Sequence, residues 1–334
     1  MTAQSFRALI VEETAPKVFS RRIGNRTIDD LPPGELLIKV HYSSLNYKDA
    51  LSATGRPGVT RNYPHTPGID AAGEVVTCAD GAFVPGERVI VTGHDLGMDT
   101  AGGFGQYIRI PSTWAIRLPQ GLELQESMIF GTAGFTAGLS TWQLSRSGIE
   151  PGDGEVLVTG ASGGVGSIAV AVLAQAGYRV VAATGKEQEK EYLLSLGATQ
   201  VIGRDEVIAG VERPLMKERW RGVVDVVGGT TLAAAVKSTS YGGTVTCCGL
   251  VGSAELPLNV YPFILRGVRL IGIDSVQCPR EPRQTVWEML AGPWKPAALA
   301  KTATECTLQE LEGKIHTILK GELRGRAVIN LTAS

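Results

Sequence analysis

The sequence lacks most of the features that would tie it to a disulfide framework, a structural metal or a membrane. Its five cysteines, Cys78, Cys247, Cys248, Cys278 and Cys306, are scattered, odd in number and without a C-x-x-C pair. That pattern suits reduced thiols and argues against both a disulfide scaffold and a structural zinc lobe. No apolar run reaches membrane-spanning length, and the opening M-T-A-Q-S-F-R-A-L-I-V-E-E has no apolar signal core, so a cytoplasmic protein is expected. An excess of one charge is missing too: 32 basic against 33 acidic residues leave a net charge of −1, which gives no reason to expect nucleic acid or an anionic membrane as partner.

What is present is a chain of 334 residues, 43% apolar and 19% charged, long enough for two domains each with its own core. The first third reads as β-rich. Phe6 to Val11, Glu35 to Tyr42, Gly86 to Val91 and Gly105 to Ile110 have strand character, with turns such as Leu31-Pro32-Pro33-Gly34 between them. Short strands with frequent Gly and Pro favour a barrel or sandwich. Near Pro119 the texture changes, and Leu124 to Ser145 is small and apolar, suited to packed helices.

The most informative stretch is Glu155 to Ser167, E-V-L-V-T-G-A-S-G-G-V-G-S. Val156-Leu157-Val158 suits a buried parallel strand, the glycines supply a tight turn, and Ile168 to Gln175 has helical apolar spacing with Gly177 as a stop. A strand, a glycine turn and a helix start in that order make an anion site for a pyrophosphate, from unpaired N–H groups and the positive helix end. The spacing is Gly160-x-x-Gly163-x-x-Gly166 rather than G-x-G-x-x-G, with Gly164 added. Tyr178 to Ala183 reads as the next strand, and Thr184-Gly185-Lys186 follows where an NAD site places an acid against the ribose hydroxyls. The acid is missing, and a hydroxyl, a glycine and a cation suit the 2′-phosphate of NADP better. Helices and strands alternate onward through Gln200 to Ile202, Gly222 to Val227, Thr230 to Ser238, Thr244 to Cys248 and Val268 to Ile273. This implies a doubly wound parallel sheet, with its ligand beyond the carboxyl ends of the strands. Gly321 to Leu331 returns to strand character and is expected to rejoin the first domain.

Ser43 to Asp49, Pro67 to Asp70, Gly131 to Ala137 and Gly272 to Val276 give the strings S-S-L-N-Y-K-D, P-G-I-D, G-T-A-G-F-T-A and G-I-D-S-V. With them the chain resembles the medium-chain dehydrogenase/reductase superfamily, its zinc-free quinone-oxidoreductase-like branch and, within that, the acryloyl-CoA reductase group. The resemblance covers nearly the whole chain. It implies an α/β protein with a GroES-like β-barrel catalytic domain over residues 1–125, completed by about 276–334, and a Rossmann NADP-binding domain over 126–275. It also implies NADPH as hydride donor and a homodimer. Carried onto matching positions, it implies cofactor contacts from Tyr47, from Ser162, Gly163, Gly164 and Val165, from Thr184, Gly185 and Lys186, and from Arg204, Leu250, Ile264, Ser275 and Arg326. Many relatives have Ser-Gly-Arg at 184–186. Lys186 lacks the two-pronged phosphate contact of Arg, which implies a looser NADPH preference.

No metal is expected. Asn46 and Ile69 stand where the zinc-dependent relatives place a Cys and a His, and His41, His65, His94 and His316 show no ligand spacing. The implied reaction is hydride transfer to the β-carbon of acryloyl-CoA, or another α,β-unsaturated thioester, with protonation at the α-carbon and hydrogen-bond donors stabilising the developing enolate. Asn46 and Tyr47 are the candidate catalytic residues, at the start of a short helix expected to face the nicotinamide. Asn46 is read as a donor to the carbonyl or as a helix cap, and Tyr47 as an orienting group, a proton donor or a packed ring. Asp70 is expected to hold Lys48 or a turn. Arg56 and Arg61, in T-G-R-P-G-V-T-R-N-Y-P, lie on a loop near the expected mouth, where CoA phosphates or solvent would meet them. Two other readings stay open: a quinone or enone reductase acting on free electrophiles, and a non-catalytic NADPH-binding protein.

Overall fold

A computed structural model describes residues 4–333. The chain forms two compact units: one runs to Thr132 and resumes at Ala303, and the other spans Ala133–Thr302.

The first unit opens with β1 (Ser5–Ala15) and β2 (Val18–Thr27), an antiparallel pair. It continues through β3 (Leu36–Leu45), α1 (Tyr47–Ala53), β4 (Asp70–Cys78), β5 (Arg88–Thr92), β6 (Tyr107–Ile110) and β7 (Ala115–Arg117). Period-two spacing puts Leu36, Ile38 and Val40 of β3 into one core with Ala71 and Val75, Val89 and Val91, and Ile108 and Ile110. β2 and β4 carry too little apolar alternation to stand out in the sequence; each is held by ladder pairing to an apolar neighbour, β1 and β3 respectively.

α2 (Leu124–Arg146) is broken at Gly131, whose φ of +50° is left-handed. The second unit then alternates β8 (Glu155–Val158), α3 (Gly164–Gln175), β9 (Arg179–Thr184), α4 (Lys190–Ser195), β10 (Gln200–Gly203), α5 (Arg204–Ile208), β11 (Trp220–Asp225), α6 (Gly229–Ser238), β12 (Thr239–Cys247), α7 (Tyr261–Arg266) and β13 (Arg269–Gly272). The strands are parallel in the order β10-β9-β8-β11-β12-β13. Counted from β8 this is 3-2-1-4-5-6, the dinucleotide-binding order, whose crevice opens beyond the ends of β8 and β11. Val156 to Val158, Val180 to Ala182, Val223, Val224 and Val245 are fully buried, as strands covered on both faces must be.

α8 (Arg280–Ala291) also belongs to the second unit. Its Val286 packs against Gly138 and its Trp287 stacks on Phe135 at 5.9 Å, so this unit runs on past residue 276, near which the resemblance places its end. β14 (Ala303–Cys306), α9 (Leu311–Leu319) and β15 (Arg326–Asn330) return to the first unit, where β15 pairs antiparallel with β3.

Candidate functional site

In the first unit, β15 brings Arg326 beneath the start of α1, and the side chain is 3% exposed. All five of its N–H directions are engaged. Nη1 donates to Leu45 O (3.0 Å) and Asn46 Oδ1 (2.9 Å), Nη2 to Ser44 Oγ (2.7 Å) and Asp70 Oδ2 (3.5 Å), and Nε to Ile129 O (3.4 Å). Asp70, fully buried at the head of β4, collects the remaining donors: Ser44 Oγ (2.6 Å), Asn46 Nδ2 (2.7 Å), and Thr132 through both N (3.0 Å) and Oγ1 (2.6 Å). Gly131 makes the approach possible, since a Cβ there would lie 2.5 Å from Asp70 Oδ2 and 2.7 Å from Arg326 Nη2.

This geometry engages two of the expected site residues within the protein. The Asn46 amide directs its hydrogens to Asp70 and to Ser44 O (3.3 Å) and its oxygen to Arg326, so it ties the network together. The Arg326 guanidinium, expected at the cofactor, directs its N–H groups at these protein acceptors. Asp70 holds this cluster and not Lys48, which is exposed and has no partner among the described residues. A second carboxylate, Asp49, is also fully buried and accepts Asn46 N (2.7 Å) and Ile69 N (2.8 Å). Burial, and secondarily the Asp70 charge, pushes its carboxyl up to about 7, against the pull of those two N–H groups. Arg326 is lowered by burial and supported by the two aspartates. Tyr47, first residue of α1, is the one member of the N-Y-K-D string that projects outward, 53% exposed with no internal partner for its hydroxyl among the described residues.

In the second unit the glycine turn is built as its spacing implied. Gly160 has φ +57°, and a Cβ on Gly166 would collide with Gly160 O and stand 2.8 Å from Ala161 Cα, so these two glycines shape the turn. Gly163 caps α3, and its missing Cβ would meet only Gly160 O at 3.4 Å, which leaves its surface open to a ligand. Gly164 and Val165 form the first turn of α3, where N–H groups lack intrahelical acceptors. Ser162 Oγ lies 3.1 Å from Thr184 Oγ1, which also accepts Lys186 N at 3.1 Å, so the turn and the end of β9 are tied together. Arg204 lies against Gly185, where a Cβ would stand 2.7 Å from its Nη2. It is exposed, without an acid partner among the described residues, in a cleft of about 490 Å³ that Thr184, Lys190, Glu187 and Asp205 also line. The structure thus joins Ser162 to Val165, Thr184 to Lys186 and Arg204.

The other expected contacts are more scattered. Leu250 is exposed after β12, near Gly228, while Ser275 is buried, its hydroxyl accepting from Thr136 Oγ1 at 2.8 Å. Ile264 stands exposed on α7, and nothing among the described residues ties it to the turn. Asp225, which the motif reading passed over, anchors the crevice. It accepts Thr159 Oγ1 (2.7 Å) from the end of β8 and Gly228 N (2.7 Å) from the loop after β11, and burial raises its carboxyl. The signal for Asp225 was available: a lone carboxylate at the end of an apolar strand must find hydrogen-bond donors.

The comparisons with known proteins agree with this architecture. A family model for the alcohol dehydrogenase GroES-like domain matches residues 32–120, and one for zinc-binding dehydrogenases matches 164–292. The chain is 46% identical over 327 residues to a Bacillus subtilis protein named as a quinone oxidoreductase, YhfP, covering 98% of this chain and 99% of that one. It is 44% identical to the acrylyl-CoA reductase AcuI of Ruegeria pomeroyi, over 98% of this chain and all of that one. The chain belongs to the medium-chain dehydrogenase/reductase superfamily. Within the superfamily it falls in the zinc-free branch that holds these two relatives. Among solved structures, the Salmonella enterica YhdH oxidoreductase in complex with NADP superposes with a TM-score of 0.94 at 43% identity, covering 97% of this chain and 99% of that one. B. subtilis YhfP with NAD bound gives 0.96 at 45%, covering 98% and 100%.

Some members of this superfamily hold zinc, and the donor set here is unsuited to it. Asp70 is already saturated by N–H and O–H donors and lies 3.5 Å from a guanidinium, which would repel a dication. Among the described residues no three His, Cys, Asp or Glu side chains are grouped to hold an ion. These residues do not fit a metal.

Proposed function

We propose that the protein is an NADPH-dependent enoyl-thioester reductase with acryloyl-CoA as its leading substrate. The observation that carries this is the end-to-end match to acrylyl-CoA reductases, 44% and 43% identical over 98% and 97% of the chain. When bound, NADPH supplies the hydride that reaches the β-carbon of the thioester. The remaining work falls to this chain's residues. Ser162 to Val165 receive the pyrophosphate on the start of α3. Arg204 and Lys186 answer the 2′-phosphate, with Gly185 leaving room for the guanidinium. The Tyr47 hydroxyl, without an internal partner among the described residues, orients the thioester carbonyl or delivers the α-carbon proton. Asn46, Asp70 and Arg326 hold the start of α1 rigid, so that Tyr47 is presented in one geometry.

A second reading, reduction of free quinones or enones, is favoured by the likeness to YhfP, and the structure of YhfP with NAD bound also tempers a strict preference for NADPH. Following reduced-nicotinamide absorbance with acryloyl-CoA, a free quinone and a simple enone at matched concentration separates the two. A thioester advantage in kcat/KM of about a hundredfold, roughly 2.7 kcal/mol, is expected. Equal or faster turnover of the free electrophiles would overturn the thioester reading.

A further inference from the structure

The loop after α1 is the part of the first unit that the chemistry above leaves unused, and it is firmly built. Gly55 (φ +66°) ends the helix with its N–H on Ser52 O (3.1 Å) and the N–H of Arg56 on Leu51 O (3.0 Å). The loop folds back through a buried hydroxyl pair, Ser52 Oγ and Thr60 Oγ1 at 2.7 Å, and through Tyr63 Oη donating to Ser52 O at 2.9 Å. Tyr63 in turn packs on Phe19, ring centres 4.8 Å apart.

This frame carries cations outward. Arg56 is exposed and has no acid partner among the described residues, as is true of Lys48 in the first turn of α1. The Arg61 side chain is 86% exposed and, among the described residues, meets an acid only at Asp99, at 3.8 Å. Guanidinium groups on a loop already ordered by buried hydrogen bonds form an anion site at little further cost in ordering.

The spacing selects the anion. Seven-residue α1 spans about 10 Å from Tyr47 to its far end, and the turn to Arg56 adds a few ångströms. The pantetheine arm of CoA has about 13 bonds between thioester sulfur and diphosphate, roughly 15 Å extended at peptide-like spacing. With its arm laid along α1, an acyl group held at Tyr47 would place its phosphates at the end of α1, where the two arginines stand. We propose that Arg56 and Arg61, with Lys48 on the approach, bind the phosphate groups of an acyl-CoA substrate. This rests on the thioester reading and names the part of the protein that tells CoA from a bare acyl group.

The test compares acryloyl-CoA with acryloyl-N-acetylcysteamine, the same thioester without phosphates, in the wild type, Arg56→Ala, Arg61→Ala and the double variant. Each single change is expected to raise KM for the CoA substrate about threefold to tenfold, and the double change more, with kcat and both constants for the truncated thioester unmoved. Added salt should weaken the wild-type preference for CoA and leave that of the double variant flat. Unchanged KM for acryloyl-CoA in the double variant, with the wild type still preferring CoA, would overturn this site alone. Equal losses on both substrates would assign the loop a structural role. A wild type that reduces neither thioester would overturn the thioester reading and this site with it.

Discussion

Arg326→Met removes the cation from a fully buried cluster while keeping most of the side-chain volume. Asp70 and Asp49 then share an interior with no compensating charge, and Leu45 O, Ile129 O, Asn46 Oδ1 and Ser44 Oγ each lose a donor. Breaking a buried pair from one side costs about 3–5 kcal/mol, with about 1 kcal/mol or more for each acceptor left without a donor. Asp70→Leu should cost a similar amount, since it strands the guanidinium. The double variant removes both charges together, so its cost should fall short of the sum by about 2 kcal/mol or more. The two units need not unfold together, so the measurement should be local. Native-state amide exchange at Asn46, Ile69 and Thr132, whose N–H groups bond Asp49 and Asp70, reads the opening free energy of the first unit directly. Single variants within 1 kcal/mol of wild type, or strictly additive losses, would refute the claim that this network is one coupled structure.

Asp49 gives a pH signature. Its carboxyl titrates near 7 in the folded chain, above the usual carboxylate range, so the folded state holds this proton more tightly than the unfolded chain and this contribution to stability is lost as pH rises from about 4 to 7. Urea unfolding of Asp49→Asn between pH 5 and 7.5 should show a flatter pH dependence than wild type, and an identical slope would sink the assignment. Gly166→Ala puts a methyl against backbone atoms of Gly160 and Ala161 and should weaken NADPH binding by more than about tenfold in a fluorescence titration; unchanged affinity would show that the turn tolerates opening. Arg204→Ala should narrow the ratio of NADH to NADPH dissociation constants by about tenfold, and no change would remove Arg204 from the 2′-phosphate. Tyr47→Phe, which breaks no internal hydrogen bond among the described residues, should lower kcat about a hundredfold with stability intact, whereas full activity would leave the hydroxyl without a role.

Local signals sufficed for the nucleotide unit. The run Val156-Leu157-Val158, the glycine turn and the strand-helix alternation are short-range features, and the conformation each requires is written in neighbouring residues. The same holds for the missing acid after β9, because that position is fixed by the end of the strand itself. Cap geometry at Asn46 was legible for the same reason: Asp49 sits three residues on, within reach of the Asn46 N–H.

Only the tertiary structure decided what Asn46, Asp70 and Arg326 do. Their bonds join positions up to 282 residues apart, brought together by β15 pairing with β3 and by the broken helix at Gly131. Sequence pattern carries no information on which buried polar groups will meet, because each merely requires some partner and the fold supplies it. Arg204 followed the same logic: its place beside Gly185 comes from the pairing of β10 with β9 and not from any spacing within the chain. The type of site was therefore written locally, while the division of its residues into those that face a ligand and those that hold the frame depended on long-range pairing.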